Sequence, residues 1–158
     1  MLKHRSIKVR TFLTALSKLS FILWWGGFTF YAAFVIPAGQ QVLGNHVLVG
    51  FITQRVSTAL NISCATALLL TVLEGAWCWK KNSQNTQHIK HINLLVMAVL
   101  LAGLFYLHPV LGRFLDASSL QLRDEPVFYK LHRIYLLISS LLWLCGLVHL
   151  IRTLRQKI

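Results

Sequence analysis

Long apolar runs interrupted by short polar, turn-rich stretches organise this chain. Leu19 to Ile36 contains no charged residue. At a helical rise of about 1.5 Å per residue, that run is just long enough to cross a hydrocarbon layer of about 30 Å. Four such spans are predicted, Leu13–Pro37, Phe51–Trp79, Ile92–Val110 and Val127–Ile151. They imply one membrane domain, an all-α transmembrane antiparallel four-helix bundle.

In the first span Gly26, Phe30, Ala33 and Pro37 follow at i, i+4, i+7 and i+11. This mostly small face is expected to point inward, with Gly26 and Gly27 letting another helix approach closely. Trp24 and Trp25 lie too deep for an interfacial belt and are expected to pack. Pro37 is expected to end the helix, leaving Ala38 to Gly50 as a turn-rich connection.

The second span is the polar one. Gln54, Ser57, Asn61, Cys64, Leu68, Thr71 and Gly75 recur at steps of three and four, a narrow polar and small stripe on one helical face. An amide facing lipid is costly unless paired, so the stripe should face the interior. It serves either as hydrogen-bonding glue between helices or as the wall of a polar ligand site.

Beyond the third span, the connection to Lys130 mixes charges and is compatible with a short interfacial helix. Asp124 ahead of Glu125 and Pro126 reads as an N-cap followed by acid and proline in the first turn.

Hydrophobic residues make up 56% of the chain and charged ones 13%, a balance that excludes an ordinary soluble domain. The net charge of +12 would point to nucleic acid in a soluble protein, but here the cations flank apolar runs. Lys3, Arg5, Lys8 and Arg10, then Lys80, Lys81 and Lys90, then Arg152, Arg155 and Lys157 fall on one side of the bundle. By the positive-inside rule both termini are cytoplasmic, in a plasma (inner) membrane, with the first span retained rather than cleaved. The expected partners are the lipid bilayer and anionic lipids at the cytoplasmic face, with no nucleic acid. Cys64, Cys78 and Cys145 show no metal spacing and are expected to be inert thiols.

Two groups of ionisable residues fall within the spans. Lys18 and Glu74, at similar depth on adjacent helices, form either an ion pair or two interfacial side chains reaching water. At the other end His108 and His132 share a depth, with Gln54, Arg55, Tyr129, Arg133 and Tyr135 nearby. His4, His46, His88 and His91 fall in tails or loops, and His149 lies at the opposite end. Two facing imidazoles could bind haem b, with Arg55, Arg133 and Tyr129 on its propionates; they could also hold a transition metal, relay protons, or simply hydrogen-bond across helices. No nucleophile–base set, phosphate loop or carboxylate dyad is visible.

Trp24, Gly26, Gly27, Thr29, Phe30 and Pro37, then Gln54 with Arg55, then Tyr129 with His132 form an ordered set. In this the chain resembles the bacterial four-helix membrane proteins related to the eukaryotic transmembrane protein linked to platinum-drug resistance. It is similar, more distantly, to the membrane domain of copper-resistance D proteins and to HemJ-type protoporphyrinogen oxidases. The first resemblance implies a four-span membrane protein. The second implies metal uptake, although Met1 and Met97 are the only methionines, and the third implies bound haem b with a histidine in an early helix. Spans one and two contain no histidine, which speaks against that activity. Transport of a small solute or metal along the polar stripe would require a homo-oligomer, four helices being few for alternating access.

Overall fold

The structure is a computed structural model that describes residues 2–77, 84–116 and 121–155. Cys78, Trp79, Lys80, Lys81 and Lys157 lie outside the described residues, as do the side chains of Lys3, His4, Arg5, Lys8, Arg10, His88 and Lys90. In chain order the elements are α1 (Leu2–Phe30), a π-helical segment (Tyr31–Val35), α2 (Ile36–Leu43), α3 (His46–Trp77), α4 (Gln84–Gly112), β1 (Leu115–Asp116), β2 (Gln121–Leu122) and α5 (Glu125–Arg155). Helix α1 packs on α3 and α5, and α4 packs on the same two, closing an antiparallel four-helix bundle. Thr11–Leu43, His46–Ala76, His91–Gly112 and Glu125–Thr153 are long and apolar enough to cross a membrane. The chain is a multi-pass membrane protein.

The first span differs from its expectation in three ways. Pro37 does not end it, because it follows directly on a π turn, the kind of local adjustment by which a membrane helix accommodates a proline. The helix passes through a π turn, in which Ile36 N–H bonds to Tyr31 C=O five residues back, and continues to Leu43. Gly44, at φ 58°, supplies the left-handed residue that stops it, its N–H bonding to Gln40 C=O. Asn45 then caps α3, its Oδ1 accepting from Val47 N–H at 2.8 Å. The expected long connection is therefore two residues, Gly44 and Asn45.

The inward face of α1 is also not the small one. Gly26, Phe30, Ala33 and Pro37 are exposed, and nothing stands within 4 Å of the place where a Cβ on Gly26 or Gly27 would sit. Ser17, Phe21, Trp24 and Tyr31 are buried instead, with Phe28 half-buried between them. This bulky face meets a small residue on the opposite helix. A Cβ on Gly146 of α5 would lie 2.8 Å from Trp24 and 3.1 Å from Trp25. Trp25 and Trp143 stack with ring centres 5.2 Å apart. Trp25 Nε1–H donates to Trp143 C=O, and Trp143 Nε1–H donates to Thr29 Oγ1 at 2.8 Å. Both indole donors are thereby satisfied without water, as lipid surroundings require.

In α3 the stripe turns inward. Ser57, Asn61, Cys64, Leu68 and Thr71 are buried, with Gln54 and Gly75 half-buried at its ends. Thr71 Oγ1 pairs with Ser17 of α1 at 3.1 Å, and Asn61 Nδ2–H donates to Tyr135 Oη of α5 at 3.2 Å. Asn93 of α4 donates to Cys145 C=O at 3.2 Å. Among the described residues no ion pair joins Lys18 to Glu74. The pair that forms is Arg123 with Asp116, at 3.0 Å.

That pair clasps a miniature hairpin, Leu115 opposite Leu122 and Asp116 opposite Gln121, where a short helix was one expectation. Asp124 follows at φ 52°, a left-handed conformation that short polar side chains tolerate. Its Oδ1 accepts from Val127 N–H at 3.4 Å, opening α5 as the sequence predicts.

Candidate functional site

At the hairpin end of the bundle the helices separate around a cavity of about 470 Å3. Its walls come from α2, α3, α4, the hairpin and α5. On α3, α4 and α5 the residue lining it farthest from the hairpin is polar or lies beside one that is: Ser57 on α3, His108 on α4, and Tyr135 next to Leu136 on α5. Thr53, Gln54 and His132 stand nearer the hairpin, among Val49, Leu111, Leu115 and Phe128. Beneath this floor Cys64, Ala67 and Met97 are fully buried and close the bundle.

His108 and His132, paired by depth in the sequence, do line this one cavity. Their surroundings differ. His108 Nε2 lies 2.9 Å from Gln54 C=O and 3.1 Å from Thr58 Oγ1. A carbonyl only accepts, so Nε2 carries a proton. His132 stacks on Phe128 one turn earlier, with centroids 5.7 Å apart and planes 8° from parallel. Tyr135 Oη accepts from Asn61 and also pairs with the Ser57 side chain, joining two residues of the floor.

Comparison with family models, curated proteins and solved structures finds no match. The functional reading therefore rests on the geometry of the chain itself.

Of the other residues singled out, Gln54, Ser57 and Tyr129 line the cavity, whereas Asn61 and Cys64 belong to the packed interior below it. Arg55 and Arg133 are exposed and lie outside the lining, so they do not stand where propionates of a ligand in this cavity would need them. Their depth and exposure suit side chains that reach back to the membrane surface. Among the described residues no three His, Cys, Asp or Glu side chains gather as a metal site.

His46 and Gln40 are lining residues that the sequence placed in a loop. The signal that could have found them is Asn45, which followed by an apolar run reads as a helix start. The π segment contributes as well. Its extra residue rotates α2 by about 100° relative to α1, and Ile36 and Gln40 then face the cavity. Tyr31 anchors this turn, its hydroxyl donating to Thr53 Oγ1 at 3.0 Å.

A glycine shapes the α3–α4 wall. The Gln54 amide lies against Gly112, in the space a side chain there would take.

Proposed function

We propose that the protein is a plasma-membrane protein, with both termini cytoplasmic, that binds a small molecule in an outward-facing cavity. The observation carrying this reading is the convergence of Ser57, His108, His132 and Tyr135, from three helices, on one space of about 470 Å3. That volume falls within the range of small-molecule sites, and a mainly apolar wall with a few placed polar groups is their usual chemistry. The sealed bundle below the floor favours binding over passage through a single copy. Orientation follows from the cations, which crowd the end remote from the cavity.

Native mass spectrometry of protein isolated from its own membrane in mild detergent tests this reading. Wild type should carry a small-molecule adduct that Ser57→Phe loses while its helical circular dichroism persists. A bare wild type, or equal adduct on the variant, overturns it. Orientation is checked with single cysteines in a cysteine-free background: Gln121→Cys should react with an impermeant maleimide on intact cells and Arg155→Cys should not.

A haem-binding redox protein is the second reading, favoured by two histidines, from α4 and α5, lining one cavity. Ligation by His108 would use Nδ1 or displace the Gln54 carbonyl. Purified protein expressed with ample haem precursor should then show a Soret band that His108→Ala and His132→Ala each abolish or shift. Its absence from folded protein removes this reading.

A further inference from the structure

We infer that the cavity opens sideways into the outer half of the bilayer, between α2 and α5, and takes an uncharged lipid alcohol, a molecule with a hydroxyl-bearing head and an apolar tail. The inference rests on the binding reading above and adds the route and the chemical class.

The route follows from which lining residues are also exposed. Gln40 on α2, His46 at the start of α3, and Tyr129 and Leu136 on α5 line the cavity and reach the outside. His46 stands toward the hairpin, and the other three mark the rim of a side opening bounded by α2 and α5, which do not pack closely on each other. Packing between α1 and α5 is made farther toward the termini, by Phe21, Trp24 and Trp25 against His149, Gly146 and Trp143. Helix α2 itself lies against α3. Depth decides what the rim meets. Leu136 lies three residues, or about 4.5 Å at 1.5 Å per residue, from the centre of the membrane-spanning segment Glu125–Thr153. That is near the middle of a hydrocarbon layer about 30 Å thick. Exposed Phe34 and Leu137 continue the apolar surface on either side. The lower edge of the opening therefore meets acyl chains rather than water.

The class follows from the lining. Among the described residues that form it, none is Asp, Glu, Lys or Arg. A charged ligand would be buried without a countercharge, at a cost of several powers of ten in affinity. The floor groups, Ser57 and Tyr135 hydroxyls and the His108 ring, donate and accept, as a hydroxyl head does. The apolar side chains above them suit a tail running out between Leu136 and Ile36.

Photolabelling in phosphatidylcholine vesicles containing the full chain tests the inference. The probes are a diazirine monoacylglycerol, the fatty acid of equal chain length ionised at alkaline pH, and a short diazirine alcohol added from the buffer. The monoacylglycerol should label peptides carrying Ser57 and Leu136, and excess unlabelled monooleoylglycerol should suppress that labelling. The ionised acid should label Ser57 at least about tenfold less. Leu136→Trp, which obstructs the rim, should reduce labelling at Ser57, whereas Leu144→Trp, at an exposed position of α5 outside the lining, should not. Equal labelling of wild type and both variants, or the short alcohol outdoing the monoacylglycerol at Ser57, overturns the sideways route. Equal labelling by the ionised acid overturns the class. In either case an adduct in native mass spectra leaves the binding reading standing, whereas an adduct-free wild type fails that reading first.

Discussion

Gly146 and Gly112 are both helical glycines facing a side chain of another helix, yet the two ends of the bundle treat them differently. At Gly146 the neighbours are the indoles of Trp24, set edge-on to Phe21, and of Trp25, which stacks on Trp143 and donates to its C=O. At Gly112 the neighbour is the tip of the Gln54 side chain, which borders a cavity. Rigid rings fix the distance between α1 and α5, whereas a flexible amide beside free space fixes little. The terminal half is thus built as a close-packed clamp, and the hairpin half is held apart by short polar contacts.

The largest effect is expected where that clamp is forced open. Gly146→Ala places a methyl group against Trp24 and Trp25 and should destabilise by about 1–3 kcal/mol in reversible detergent unfolding. An unchanged stability would mean the helices slide apart freely, and the contrast between the two ends would vanish. Gly26→Ala and Gly27→Ala meet nothing and should stabilise by roughly 0.5–1 kcal/mol through helix propensity alone. A loss instead would reveal a second helix on that face, such as another copy of the chain in a homo-oligomer.

Trp143→Phe retains the stacking and removes one interhelical hydrogen bond, to Thr29. Such bonds average about 0.6 kcal/mol in membranes, so the same unfolding assay should show a loss of that size. A loss approaching that of Gly146→Ala would assign the clamp to polar contacts rather than packing. Smallest of all, Gly112→Ala should change stability little, because the Gln54 amide can swing into the cavity while alanine favours the helix. Its signature is a weaker native-mass-spectrometry adduct at nearly unchanged stability. A large destabilisation with the adduct intact would show that Gln54 is as rigid as the indoles.

Much of the bundle was legible because lipid leaves polar side chains only one direction to face. The stripe from Gln54 to Thr71 had to turn inward, and its spacing alone located the interior of α3. The depth of His108 and His132 likewise placed them on a common level, and they line one space. Close approach was less legible. A glycine indicates where bulk is missing but not which surface uses the gap, and the pair Gly26–Gly27 drew attention from Gly146, whose partners are more than a hundred residues away. The π turn was invisible for a related reason, since Tyr31 to Val35 is apolar throughout and carries no periodicity to reveal a change of phase. Missing that turn, and reading Gly39, Gly44 and Gly50 as a loop, hid Gln40 and His46 from the site.

The link between α2 and α3 consists of Gly44 and Asn45 alone, both held by hydrogen bonds. So short a tether carries no slack, and a displacement of one helix is transmitted to the other as by an elbow. Inserting three or four glycines after Gly44 would uncouple α2 from α3, leaving that wall of the chamber steered by α1 alone through the π turn.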